Sequence, residues 1–111
     1  MTTRAPDRLF VYGSLLDEAK RREILGRAVE VSEAQLAGFE RRRAKYFYLV
    51  PADGASTSGL LMLNLTHSDW RQLDAYEEVP ELYTREEVEV STSNGPVRCW
   101  VYLPTPRCIS G

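Results

Sequence analysis

The sequence has little of what builds covalent or metal frameworks: two cysteines, Cys99 and Cys108, and one histidine, His67. Two cysteines are too few for a disulfide framework, and with no others present they do not assemble a Cys-rich metal site. We read Cys99 as strand filler and Cys108 as tail. His67 falls at a predicted helix start, where solvent exposure is expected, so a Ser-His-Asp or Cys-His mechanism finds no base. No apolar stretch approaches the roughly 20 residues that span a bilayer, and residues 1–7 lack the apolar centre of a signal peptide. A cytoplasmic protein without membrane contact is expected. Excess positive charge is also missing. Fourteen Lys and Arg stand against sixteen Asp and Glu, a formal charge of -2, which leaves no overall field to collect nucleic acid. The densest basic run, Arg41-Arg42-Arg43 with Lys45 nearby, reads as a solvated turn between two strands rather than an anion patch.

What is present is ordinary for a folded protein: 43% hydrophobic, 10% aromatic and 27% charged residues, far from the composition of disorder. A chain of 111 residues accommodates one domain, over 1–111, with residues 1–7 and 105–111 expected as flexible ends. Arg8 to Tyr12 reads as a strand that stops at Gly13-Ser14. A helix follows, with Asp17 as N-cap and Gly26 as C-cap. Ala28 to Phe39 reads as an irregular strand with a bulge at Gly38. Lys45 to Val50 forms another, closed by Pro51, and the Asp53-Gly54 turn leads to a strand over Ser58 to Leu65. Thr66 and Asp69 form a capping box for a helix from about His67 to Tyr76, which Pro80 keeps from continuing. Thr84 to Ser91 and Val97 to Leu103 form a hairpin about Asn94-Gly95, and Pro104 and Pro106 end regular structure. Strands and helices do not alternate as in a doubly wound sheet. The expected fold is α+β, a mixed, curled, barrel-like sheet with two main flanking helices.

Two stretches carry chemical potential. In Val11-Tyr12-Gly13-Ser14-Leu15 the glycine lets backbone N–H groups approach a ligand with no Cβ in the way. In Leu73-Asp74-Ala75-Tyr76-Glu77 a carboxylate ends an amphipathic helix. Glu77 lies four residues after Leu73 and seven after Trp70, on the core-facing stripe, whereas Asp74 and Glu78 are rotated away by roughly 100° each. Burial there favours the neutral acid and raises its pKa toward the range useful for proton transfer. Trp70 and Trp100 read as core.

Together the two stretches resemble the gamma-glutamylcyclotransferase-like superfamily, in particular its small AIG2-like members. Tyr83 and Arg85 match the Tyr-x-Arg that follows the family's Leu-Asp-x-aromatic-Glu motif, and Gly59-Leu60-Leu61 and Trp100-Val101-Tyr102 match its strands. The resemblance implies an enzyme that cyclises a small gamma-glutamyl substrate to 5-oxoproline and releases the amine, without metal or organic cofactor. It implies Glu77 as general acid/base and the turn Tyr12, Gly13, Ser14 and Leu15 as the cradle of the glutamyl group, Ser14 being a pocket residue and no nucleophile. The turn's N–H groups bind either the substrate carboxylate or the developing oxyanion. Tyr12, Tyr83 and Tyr102 either bond the substrate or simply pack. Many members have Gly where this chain has Glu78, which adds a negative charge beside Glu77 and bears on substrate range. Larger relatives carry C-terminal structure that can cover the pocket, so a more open one is expected here. The alternative is a binding domain that keeps the cavity without turnover.

Overall fold

A computed structural model describes residues 7–110 of the chain. At its centre lies β1, Leu9–Val11, three residues buried throughout, as befits a strand covered on both faces. Side chains alternate across it: Phe10 joins Leu36, Leu49, Leu61, Val90 and Val101 in the barrel interior, while Leu9 and Val11 face Leu25, Leu73 and Tyr102 beneath the helices. β1 pairs antiparallel with β3, Phe47–Met62, and parallel with β5, Gly95–Pro104. With β2, Val31–Arg43, and β4, Tyr83–Thr92, the order β1-β3-β2-β4-β5 closes into a barrel with no open edge. The expected α+β barrel-like sheet is present, and it is mixed because β1 runs parallel to β5.

Gly59 makes this packing possible, since a Cβ there would lie 2.2 Å from the Val11 carbonyl oxygen. No side chain fits between β3 and β1 at that point.

The long pairing of β2 with β3 corrects the sequence reading. Pro51 and Asp53-Gly54 do not separate two strands. They lie within β3, where the register jumps from Ala37↔Ser56 to Phe39↔Pro51, so that residues 52–55 bulge opposite Gly38. Gly38 and Gly54 adopt φ of +86° and +80°, left-handed values that glycine takes without strain. The expected bulge and the expected turn are two sides of one irregularity. The Arg41-Arg42-Arg43 run belongs to β2, and the turn falls on 44–46. β3 stops at Met62, short of Leu65.

α1, Glu18–Leu25, is bounded by Asp17 and by Gly26 in the left-handed conformation, although the Asp17 side chain makes no capping bond. α2, His67–Tyr76, begins with both bonds of the capping box: Asp69 N–H donates to Thr66 Oγ1 at 3.1 Å and Thr66 N–H to Asp69 Oδ2 at 2.9 Å. Asp serves in place of the usual Glu, and Arg27 pairs with the same carboxylate, holding its pKa below the ordinary range despite burial. His67 is exposed, and Trp70 and Trp100 are half-buried against the helix-side core.

Two further expectations change at the C-terminal end. In the β4–β5 hairpin Thr92 pairs with Gly95, so the loop residues are Ser93 and Asn94, one position earlier than Asn94-Gly95. Pro106 starts a short helix, α3, Pro106–Ser110, instead of ending regular structure, because proline suits a first helical position. Cys108, read as tail, is buried in the core, and Cys99 is buried in its strand as expected. The N-terminal residues expected to be flexible lie, up to residue 6, outside the described residues, as does residue 111. Among the described residues no helix is long and apolar enough to cross a membrane.

Candidate active site

One end of the barrel opens into a cavity of about 420 Å³. Every residue singled out for the site lines it: Tyr12, Gly13, Ser14 and Leu15 from the turn after β1, Glu77 from the end of α2, Tyr83 from β4 and Tyr102 from β5. The cavity brings together segments more than 60 positions apart in the chain. Chain reversal at Gly13 is followed by one 3-10 turn, Ser14–Leu16, which buries Leu15. Gly13 is pressed against the β2–β3 hairpin, since a Cβ there would approach Phe47 to 3.2 Å.

Two arginines hold this turn: Arg21, which the sequence reading did not single out, and Arg41, which it placed in a solvated turn. Arg21, buried on α1, donates through Nη1 to the Leu15 and Leu16 carbonyls, each at 2.9 Å. Arg41 Nη1 donates to the Tyr12 carbonyl at 2.9 Å. A guanidinium bonded to a carbonyl fixes backbone as well as charge. Local periodicity gives no sign of such pairings, since each spans elements whose docking is tertiary.

Glu77 follows the last residue of α2, its N–H donating to the Leu73 carbonyl at 2.9 Å, so the helix delivers it to the cavity on the same face as fully buried Leu73. Desolvation in the cavity pushes the carboxyl pKa from 4.5 to about 7. Glu78 also lines the cavity, which helical rotation did not anticipate. The helix has ended by then, and Glu78 takes a left-handed backbone with φ of 55°. That conformation accounts for the suitability of glycine at this position.

The three site tyrosines all donate within the protein. Tyr12 bonds the Tyr102 carbonyl at 2.5 Å, Tyr83 the Phe47 carbonyl at 2.6 Å, and Tyr102 bonds Asp74 Oδ1 at 2.7 Å. Burial raises all three phenol pKa values, so they remain neutral. They form the walls, and their hydroxyl protons are committed to barrel and helix. Asp74, rotated out of the cavity as expected, also pairs with Arg85 at 3.2 Å. Arg85 in turn lies 4.6 Å from the ring centre of Trp70 and 5.4 Å from that of Trp100. At the mouth, Ser14 Oγ and Tyr76 OH share a hydrogen bond of 2.7 Å, joining the two motifs directly.

The remaining lining was not foreseen. Arg43, Lys45, Tyr46 and Phe47 from the β2–β3 hairpin form one wall, so part of the basic run read as a plain solvated turn faces the cavity. Among the described residues no group of three or more His, Cys, Asp and Glu is placed to hold a metal ion.

Comparison with known proteins agrees with this architecture. The family model described as "Gamma-glutamyl cyclotransferase, AIG2-like" matches residues 9–110. AIG2-like protein D of Arabidopsis thaliana is 34% identical over 85 residues, covering 74% of this chain and 55% of its own, and AIG2-like protein A of the same plant is 35% identical over 72 residues, covering 62% and 44%. The chain thus spans about half the length of the curated relatives it matches. A solution structure from Arabidopsis thaliana superimposes with a TM-score of 0.82 at 26% identity, covering 96% of this chain and 73% of that one. A structure described as a gamma-glutamyl cyclotransferase shares the fold, with a TM-score of 0.78 at 22% identity over 88% of this chain and 66% of its own. Two motifs facing one cavity, a closed five-stranded barrel and a match along nearly all the described residues lead to one assignment: the chain belongs to the gamma-glutamyl cyclotransferase, AIG2-like family.

Proposed function

We propose that this protein is a gamma-glutamylcyclotransferase-type enzyme, converting a gamma-glutamyl amine or gamma-glutamyl amino acid to 5-oxoproline with release of the amine. The observation that carries the reading is Glu77, a carboxyl group with a pKa near 7 in the same cavity as the Tyr12–Leu15 turn. A free α-amine has a reference pKa near 8, so the substrate arrives mostly as an ammonium and must lose a proton before it attacks. Ionised Glu77 accepts that proton. The amine nitrogen then bonds to the γ-carbonyl carbon, the bond from that carbon to the leaving nitrogen breaks, and protons given up by the attacking nitrogen pass through Glu77 to the departing amine. A group half-ionised near neutral pH suits both directions of transfer.

Attack is intramolecular, so holding the substrate folded supplies much of the acceleration, up to several kcal/mol. Gly13, Ser14 and Leu15 offer backbone N–H groups to the glutamyl carboxylate or the oxyanion, while Tyr12, Tyr83 and Tyr102 shape the wall. Arg21 and Arg41 keep the turn in place. No cofactor enters this scheme, and the setting is cytoplasmic.

Incubation with a panel of gamma-glutamyl amines and dipeptides, with 5-oxoproline quantified by mass spectrometry, tests the proposal. Release by the wild type and none by Glu77→Gln is the expected outcome. Binding of 5-oxoproline or a gamma-glutamyl compound without turnover of any substrate establishes the binding-domain alternative instead.

A further inference from the structure

Glu77 and Glu78 are not the only charges at the cavity. The β2–β3 hairpin places Arg43 and Lys45 in its lining, both exposed at the rim. Arg43 rests 4.9 Å from the ring centre of Phe47, and Lys45 Nζ lies 5.6 Å from that of Tyr46. These contacts hold the two side chains beside the opening without using their N–H donors. Neither cation has a carboxylate partner among the ion pairs of the described residues. Arg41 differs, because it bonds the Tyr12 carbonyl. Two unpaired cations on an aromatic rim suit a carboxylate, which guanidinium and ammonium bind through charge-assisted hydrogen bonds.

We propose that Arg43 and Lys45 form an anion subsite for a carboxylate on the leaving half of the substrate, so that gamma-glutamyl amino acids and peptides are preferred over gamma-glutamyl amines lacking that carboxylate. The inference rests on the cyclisation reading above and specifies its substrate class. The α-carboxylate shares a carbon with the attacking amine, so it stays with that amine beside Glu77 and the turn. The leaving group lies beyond the scissile bond, pointing to the open rim where Arg43 and Lys45 sit. A second carboxylate there also balances the site, since Glu77 and Glu78 face the ammonium.

The test compares gamma-glutamylalanine with gamma-glutamylisopropylamine, in which a methyl group replaces the leaving carboxylate. The expected kcat/KM ratio in the wild type is on the order of tenfold in favour of alanine, arises mainly in KM, and shrinks with added salt. Arg43→Gln/Lys45→Gln brings the ratio close to one, while the conservative Arg43→Lys/Lys45→Arg keeps it; circular dichroism checks folding. Equal kcat/KM for the two substrates in the wild type overturns the inference without any variant. A ratio unchanged by the Gln pair, or an equal slowing of both substrates, overturns it too, the latter because the cations would then be reading the α-carboxylate. In each of these cases 5-oxoproline still forms. Absence of 5-oxoproline from both substrates also overturns the subsite, and absence from the whole panel above defeats the cyclisation reading along with it.

Discussion

Tyr102 donates its hydroxyl proton to Asp74 Oδ1 at 2.7 Å, joining the last barrel strand to the helix whose end carries Glu77. Asp74 lies one helical turn before Glu77 and faces away from the cavity, so the Asp of the Leu-Asp-x-aromatic-Glu motif latches the helix. Arg85 completes the latch, ion-paired with Asp74 and packed on Trp70 and Trp100. The Tyr-x-Arg segment is thereby tied to the earlier motif through Asp74.

Removing the latch without touching the cavity charges tests this positioning. Tyr102→Phe should cost about 1 kcal/mol of stability, the net worth of one hydrogen bond, since Asp74 keeps Arg85. A lower kcat at nearly unchanged KM is expected, measured alongside urea unfolding.

Glu77→Gln should reduce turnover by about 10²–10⁴-fold, the usual contribution of general acid/base catalysis. For the wild type, the acidic limb of the kcat/KM profile should fall near pH 7, where burial puts the Glu77 carboxyl, and not near 4.5. A limb near 4.5 would assign the proton transfer to another group.

The same shift sets a stability signature. With a carboxyl pKa of 4.5 unfolded and about 7 folded, the native state binds more protons in that window, so stability falls as pH rises through it and levels off above. Glu77→Gln escapes the loss. Thermal unfolding should show the variant matching the wild type below pH 4.5 and exceeding it above pH 7, by up to about 3 kcal/mol before screening by water at the open mouth reduces the difference.

Glu78 occupies a left-handed backbone, φ 55°, where a side chain costs about 1–2 kcal/mol and glycine nothing. Glycine gives back about 0.5–1 kcal/mol in unfolded-state entropy. Glu78→Gly should therefore stabilise the protein by roughly 0.5–1 kcal/mol, read as a higher urea midpoint.

Gly59→Ala should be far worse, because its Cβ would meet the Val11 carbonyl at 2.2 Å and neither central strand can yield. A loss of about 3 kcal/mol or more is expected by calorimetry, with damage to the adjoining Tyr12–Leu15 turn.

Strand and helix positions were legible in the sequence because their signals are local: the short apolar run of β1 stopping at Gly13-Ser14, alternation in β4, the Thr66–Asp69 capping box, Gly26 beyond α1. Glu77 was legible for the same reason, as helical spacing from Trp70 and Leu73 aims it at the core, and the paired motifs carried the family. What a local pattern cannot hold is which strand lies beside which. Only the tertiary structure joined residues 47–62 into one strand around a bulge, ran β1 parallel to β5 to close the barrel, and turned Arg43 and Lys45 toward the cavity. It also gave each site tyrosine a protein partner and buried Cys108 in the helix-side core. Side-chain alternation and helical rotation are properties of a few neighbouring residues, whereas register, closure and long-range hydrogen bonds depend on surfaces that exist only once the elements have packed.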